Sequence, residues 1–114
     1  MSGITASKLL RLPVRVRGIE IGRPVDAIVD QAGTRVLGLE VLCRDDEHRF
    51  LPLTAAAVAA DEIAVESALT LLSEEQLDFY RRRGVRLREL VPGLQDAWVH
   101  ADGSLELVIP EDAA

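Results

Sequence analysis

Three side chains that lie close together in the sequence, Cys43, Asp45 and His48, are of the types that form a nucleophile, an orienting acid and a base. Such a triad needs hydrogen bonds of about 3 Å between its members and a separate group that stabilises an oxyanion. Here all three surround one short charged turn, and nothing nearby supplies the oxyanion site. A free cysteine at the end of an apolar strand is usually a small buried hydrophobe. We therefore predict no catalytic residues.

Residues 45–48, with the sequence Asp-Asp-Glu-His, are also of metal-binding types. Metal sites usually draw their ligands from separate elements or from a loop of fixed spacing, and this run has neither feature. A solvated hairpin tip is the alternative that we predict. Gly18, Gly22 and Gly33 are spread over turns and do not open a helix, so they predict no phosphate-binding loop. We expect no metal and no cofactor.

The densest basic stretch is Arg81, Arg82 and Arg83, followed by Arg86 and Arg88. It could bind RNA or an acidic protein surface. The alternative is a helix C-terminus, where positive charges interact favourably with the helix dipole. The formal net charge is −6 and the sequence pI is about 4.8, whereas nucleic-acid binding depends on neutralising phosphates. The composition therefore argues against a nucleic-acid partner.

Three aromatic side chains are candidate contacts with a partner protein. Leu77 and Tyr80 are three residues apart and share one face of the predicted helix, so Phe79 or Tyr80 is available to face outward. Trp98 is the third candidate, because tryptophan is enriched at binding hot spots. For each of these residues the alternative is packing within the core.

Length and composition predict one domain with its own core, since the chain has 114 residues of which 48% are hydrophobic. Cys43 is the only cysteine, so no internal disulfide can form, which suits a reducing compartment. The first residues do not have the pattern of a signal peptide. No stretch approaches the ~18 apolar residues of a membrane span. We expect a cytoplasmic protein without a membrane span.

The elements that position these residues are predicted to be β-strands as far as residue 72. Alternating apolar and charged residues mark 13–17 as a half-buried strand, and Gly18 then breaks the phase, which suggests a bulge or a tight bend. Residues 54–60 fit either a helix, from alanine propensity, or one arm of a hairpin that turns at residues 61–62. The other predicted strands are 25–30, 35–43 and 48–53, and residues 67–72 close the β-rich region.

A helix is predicted over residues 74–83. Ser73 and Gln76 have the spacing of a capping box, and Gly84 suits the position after the last turn. Residues 85–92 form a connection with a short turn near 87–90, and a last hairpin joins 96–100 to 104–109. Positive φ angles are expected at Gly33 and Gly103, which lie in hairpin turns. The first eight residues are predicted to be frayed.

The last hairpin repeats an earlier part of the sequence. Residues 26–29 (Asp-Ala-Ile-Val) and Gly33 correspond to residues 96–99 (Asp-Ala-Trp-Val) and Gly103 at a constant offset. The alternative is that two β-hairpins with small turns resemble each other by chance. In either case the second copy ends after one hairpin, so it cannot close a barrel of its own.

Residues 9–72 resemble the PRC-barrel family, the small β-barrel of the photosynthetic reaction-centre H subunit and of a ribosome-maturation factor. The pattern that carries the resemblance is formed by Gly18, Gly22 with Val25, residues 26–30, Gly33, residues 36–39 (Val-Leu-Gly-Leu), residues 50–53 (Phe-Leu-Pro-Leu) and residues 57–65. The resemblance implies a mainly β fold built around a small antiparallel barrel at 9–72. Residues 73–114 would then add the helix and the C-terminal β-hairpin, packed on the barrel or on a partner subunit.

These features favour a non-enzymatic adaptor or assembly module that binds another protein. The alternative is an adaptor associated with ribosomes or RNA processing, as in the ribosome-maturation branch of the family. Because the last hairpin leaves one strand edge unpaired within its own repeat, we also predict a homodimer. The candidate partner contacts are Phe79, Tyr80, Arg81, Arg82, Arg83, Trp98, Leu105, Leu107 and Ile109.

Overall fold

The computed structural model of the chain describes residues 3–90, 97–100 and 102–107. Its elements are, in order, β1 (Gly3–Thr5), α1 (Ala6–Leu9), β2 (Val14–Val16), β3 (Ile19–Asp30), β4 (Val36–Cys43), β5 (His48–Pro52), β6 (Ala57–Val58), β7 (Ile63–Val65), α2 (Glu74–Arg83), β8 (Gly84–Arg86), α3 (Leu87–Leu90), β9 (Ala97–His100) and β10 (Leu105–Leu107). Short 3-10 turns lie at Leu53–Ala55 and Ala68–Thr70. The fold is mainly β with few helices, as predicted.

Seven strands form the larger sheet, in the order β5-β4-β3-β2-β7-β6, with β8 also paired to β3. Most neighbours are antiparallel, as the predicted antiparallel barrel requires, but β2 and β7 run parallel. No pairing within the described residues joins β5 to β6. The path of the sheet is therefore open there, and closure into a barrel is not seen.

The second predicted strand, β3, begins earlier than expected because a tight turn joins it directly to β2. Arg17 and Gly18 have φ angles of 52° and 82° and reverse the chain directly after β2, so Val16 lies opposite Ile19. A two-residue turn with two positive φ angles matches the twist of the strands that it joins. β3 consequently starts at residue 19 and not at residue 25. The phase break at Gly18 marks this turn.

The prediction of a frayed N-terminus is wrong for the residues that the structure describes. β1 pairs with β9, with Gly3 opposite His100, in a three-stranded sheet of order β1-β9-β10. Ala6 and Leu9 on the following helix α1 are fully buried. The burial of these apolar side chains stabilises the segment despite its small and polar composition.

Two clusters of apolar side chains form the core, and they lie on opposite faces of β3. Ala27 and Val29 join the larger cluster, to which α1, β4, β7 and β9 also contribute. Ile28 points the other way and packs with Phe50 and Leu77 beneath α2. This alternation follows the two-residue period of a strand.

The helix α2 has the predicted bounds, but its ends differ from the prediction. Ser73 occupies the N-cap position without making a side-chain capping bond. Gly84 is extended, with φ −127°, and not left-handed. It is the first residue of β8, where an added Cβ would overlap the carbonyl oxygen of Val29. Close approach of two strands, and not a helix-terminating turn, accounts for this glycine.

The predicted turn glycines are confirmed, since Gly33 and Gly103 have φ angles of 73° and 90°. The hairpin predicted to turn at residues 61–62 is present, because β6 and β7 pair antiparallel, but the pairing of Ala59 with Glu62 places its turn at residues 60–61. The turns at Gly33 and Gly103 contact each other through a bridge between Arg35 and Ser104. This contact attaches the C-terminal hairpin to the larger sheet of the same chain. None of the described helices is both long and apolar enough to cross a lipid bilayer.

Candidate functional site

The three residues of the hypothetical triad do not converge. His48 lies opposite Leu42 on the neighbouring strand, so Cys43, the next residue, faces the other side of the sheet. Cys43 belongs to the larger core cluster and is 8% exposed. Asp45 accepts two hydrogen bonds from Arg49, at 3.0 and 2.9 Å, which lower its pKa to about 2. In the described part of the chain, no group of three His, Cys, Asp or Glu residues has a metal-binding arrangement.

A buried carboxylate, Glu40 on β4, organises the main charged site, which we call the Glu40 cluster. Its Oε2 atom lies 2.7 Å from Nδ1 of His48 and 2.7 Å from Nη2 of Arg81. Arg81 also donates to Asp78 at 2.8 Å, and Arg86 Nη2 lies 3.9 Å from Glu40 Oε1. The cluster therefore connects two strands of the sheet with α2 and β8.

Opposing effects act on the charge of Glu40. Burial raises its pKa, but hydrogen bonds from Arg81 and His48 and the charges of Arg81 and Arg86 outweigh burial, so the pKa is lowered. Two buried atoms of the cluster, Glu40 Oε1 and Arg81 Nε, have no hydrogen-bond partner among the described residues. The ionised carboxylate is nevertheless stabilised by its cationic neighbours, and the cluster fastens α2 to the sheet.

Asp26 is a second buried acid, directly opposite Glu40 on the adjacent strand β3. Its Oδ1 atom accepts from the backbone N–H groups of Ala27 at 2.8 Å and Arg88 at 3.2 Å. Burial raises the pKa of Asp26 in spite of these hydrogen bonds and the nearby arginines. The two facing carboxyls are thus shifted in opposite directions. Neither has a nucleophile among its hydrogen-bond partners, so their contacts hold backbone and helix in place.

The candidate contacts on α2 divide between its two faces. Tyr80 faces inward and stacks on Phe50, with 4.1 Å between ring centroids. Arg81 turns inward to the Glu40 cluster. Phe79 is 44% exposed, and the guanidinium of Arg83 lies 4.4 Å from the centre of its ring. Phe79, Arg82 and Arg83 therefore form the accessible side of the helix.

The candidate contacts on the C-terminal hairpin also divide. Ala97 and Val99 are buried in the core of the same chain, and Leu105 packs partly against it. Trp98, between them on β9, points outward and is 39% exposed. Leu107 is described only as a member of β10, and Ile109 lies outside the described residues. The hairpin thus covers its inner face within one chain, while the homodimer stays a prediction.

A cleft of about 470 Å³ lies away from the Glu40 cluster. Residues of β1, α1 and β9 line one side of it, and Leu53 with residues 56–60 line the other. β6 is the last strand of the seven-stranded sheet and β1 is the last strand of the three-stranded one. The cleft, as defined by these residues, therefore lies between the end strands of the two sheets.

The Glu40 cluster and the cleft were not predicted, although the sequence contains a signal for each. Glu40 is the only charged residue in the apolar strand β4, and this exception was a signal for a buried ion pair. The absence of charge from residues 55–60 was the signal for an unprotected strand edge.

No protein-family profile and no curated protein sequence matches this chain.

Proposed function

We propose that this chain is a non-enzymatic protein-interaction module, related in design to the PRC barrel, that binds a polypeptide in the cleft between its two sheets. The observation that carries the proposal is the apolar lining of this cleft, to which exposed Ala57, Val58, Ala59 and Ala60 contribute. Its volume lies within the range of about 300–1,000 Å³ that is usual for ligand sites. Contiguous exposed apolar surface of this kind marks interaction sites.

The placement of the reactive side chains supports a role in binding. Cys43 and His48 are on opposite faces of the sheet, and His48 is held by Glu40. Arg49 holds Asp45 within its own turn. These groups have structural partners, so they stabilise the scaffold that presents the cleft.

The ribosome-linked alternative gains no support from the arginine-rich stretch. Arg81 and Arg86 face Glu40, and Arg88 Nε donates to the backbone carbonyl of Val25 at 2.9 Å. Arg83 lies over an aromatic ring of its own helix. Because most of these guanidinium groups have partners within the chain, fewer remain to neutralise phosphates.

Site-specific photo-cross-linking in the host cell tests the proposal. A benzophenone-bearing residue placed at Val58, inside the cleft, should give a discrete adduct with another protein. The same residue at Leu69, which is 91% exposed but outside the cleft, is the matched control. Ala59→Lys, which puts a charge in the cleft, should reduce the Val58 adduct. Absence of an adduct, or identical adducts from both positions, would contradict the proposal.

A further inference from the structure

The outer edge of β6 presents backbone groups that no described residue binds. Ile63 on β7 donates its N–H to the carbonyl of Pro13 at 2.8 Å, so it points away from β6. The N–H of Ala59 donates to the carbonyl oxygen of Glu62 at 2.8 Å, so Ala59 and Glu62 form a hydrogen-bonded pair of the ladder. Val58 and Ile63 are therefore a non-hydrogen-bonded pair of the antiparallel ladder. The N–H and C=O of Val58 consequently face outward.

In the part of the chain that the structure describes, this edge lacks the usual protection against pairing with another chain. Natural edge strands carry charges, prolines or bulges, or they are covered by another element. Residues 55–60 contain only alanine and valine, and the first charges follow at Asp61 in the turn and Glu62 just after it. Small side chains also leave the backbone accessible. The edge is thus suited to accept a further strand.

The opposite wall of the cleft offers a second strand edge. Among the described strands β1 pairs only with β9, and its residues Gly3 and Ile4 line the cleft. Gly3 has no side chain to obstruct an incoming backbone. A strand placed in the cleft would therefore lie between the last strands of both sheets.

The charge of the cleft differs from that of the whole chain. The chain has 19 acidic residues and 13 basic Lys and Arg residues, yet no Asp or Glu among the described residues lines the cleft. Lys8 lines it, is exposed, and has no ion pair within the described residues. The other titratable lining residue, His100, already contacts Glu106 at 2.9 Å. The free positive charge therefore complements a carboxylate on the bound segment.

We propose that the cleft binds an extended segment of a partner protein, which adds as a β-strand to the edge of β6 and directs an acidic side chain to Lys8. This inference rests on the proposed function and specifies its ligand. In strand addition, main-chain hydrogen bonds supply affinity, and pockets for alternate side chains supply specificity. Here the backbone N–H and C=O of Val58 supply the main-chain hydrogen bonds, and the small residues around Val58 leave space for the side chains of the bound strand.

Peptide binding to the full chain, measured by fluorescence anisotropy, tests this inference. The probe is a labelled Glu-Thr-Val-Thr-Val-Thr peptide, which favours extended structure and carries one acid. Two further peptides carry backbone N-methyl groups at alternate residues, one at the odd positions and the other at the even positions. A fourth peptide has Lys in place of Glu. We expect the first peptide to bind and at least one N-methylated peptide to bind about tenfold more weakly. The Lys peptide should also bind more weakly, with a difference that salt reduces.

Variants of the domain separate the contributions of backbone and charge. Val58→Pro removes the outward N–H and should weaken binding, while Leu69→Ala, at an exposed position outside the cleft, is the control and should not. Circular dichroism and thermal melting establish that both variants are folded. Lys8→Glu should reverse the preference between the Glu and Lys peptides, and a folding defect would not produce that reversal.

Each contrary outcome has a distinct meaning. No binding of the Glu peptide at millimolar concentration, or equal binding of all N-methylated forms, overturns strand addition. If either result is obtained but the Val58 cross-linked adduct still forms in cells, the proposed function stands and only the mode of binding is wrong. If the chain self-associates and Val58→Pro abolishes this, the occupant is a second copy, and the inference of a separate partner is overturned.

Discussion

Nη2 of Arg81 on α2 lies 2.7 Å from Oε2 of Glu40 on β4, and this ion pair joins the helix to the strand next to the end strand β5. Glu40 is 4% exposed, whereas about a quarter of the Arg81 side chain, 26%, still reaches solvent. Leu77 and Tyr80 pack on the same side of the helix, against Ile28 and Phe50. Charge and apolar packing thus fix α2 in one orientation.

Removing only one member of this pair should destabilise the fold. Glu40→Leu leaves Arg81 and His48 without their shared acceptor, and we expect the free energy of unfolding to fall by about 3 kcal/mol. The combined variant Glu40→Leu with Arg81→Leu should recover most of this loss, because the charges left without a partner, Asp78 and Arg86, are each 46% exposed and so remain solvated. Urea unfolding of the four members of the cycle measures both effects. A double variant no more stable than Glu40→Leu alone would contradict this account.

The two facing acids predict opposite dependences of stability on pH. The pKa of Glu40 is lowered on folding, so its stabilisation is present above its unfolded value of 4.5 and is lost as pH falls through the folded value. The pKa of Asp26 is raised, so its ionised form opposes folding above the folded pKa, and protonation relieves this cost.

Asp26→Asn isolates the second effect, because the amide oxygen can still accept from Ala27 and Arg88. We expect this variant to be more stable than the wild type at pH 7. The difference should shrink as pH falls toward 3.8, the ordinary pKa of an aspartate. Thermal melting of both proteins between pH 3.5 and 7, at one ionic strength, measures this difference in stability. A difference that does not change with pH would contradict the predicted titration.

Two glycines should respond differently to alanine for physical reasons. At Gly38 an added Cβ would overlap the carbonyl oxygen of Leu51 and the ring of Phe50, and we expect a cost of about 3 kcal/mol. At Gly33 the space is adequate but φ is 73°, so we expect only the strain of a left-handed conformation, about 1–2 kcal/mol. Urea unfolding ranks the two. A larger loss for Gly33→Ala would reverse the assignment of causes.

The predicted homodimer can be tested at Trp98. Truncation before β9 would also remove the buried Ala97 and Val99, so a substitution is the cleaner test. We expect light scattering to give a dimer for the full chain and a monomer for Trp98→Glu, because a buried carboxylate disfavours an apolar contact. Leu69→Glu, at another exposed position, is the control and should remain dimeric. A monomeric wild type at high micromolar concentration would refute the dimer.

Local patterns predicted the elements whose partners are near in sequence. The helix at residues 74–83 has acidic residues in its first turn and arginines in its last, and the turns at Gly33 and Gly103 carry the residue that a positive φ requires. In contrast, β1 and β8 are three residues long and are stabilised by strands far away in the chain. A segment so short has no periodicity to detect.

The candidate sites could be predicted only in part for the same reason. Glu40 was visible as a single charge in an apolar strand, but its partners come from α2 and β8, whose docking the sequence pattern does not determine. The cleft depends on the relative position of two sheets. The sequence shows that residues 55–60 carry no charge. It does not show that Gly3 and Lys8 line the same cleft as these residues.

The pairing of β1 with β9 has a consequence for how the chain acquires its structure during synthesis. Gly3 lies opposite His100, so the first strand has no partner until residues 97–100 have left the ribosome. At about 5–20 residues per second, that interval is on the order of ten seconds. Contacts between such distant residues also slow folding, because a long loop must close first. During this interval Ala6 and Leu9 lack the part of their covering that Ala97 and Val99 provide in the folded core.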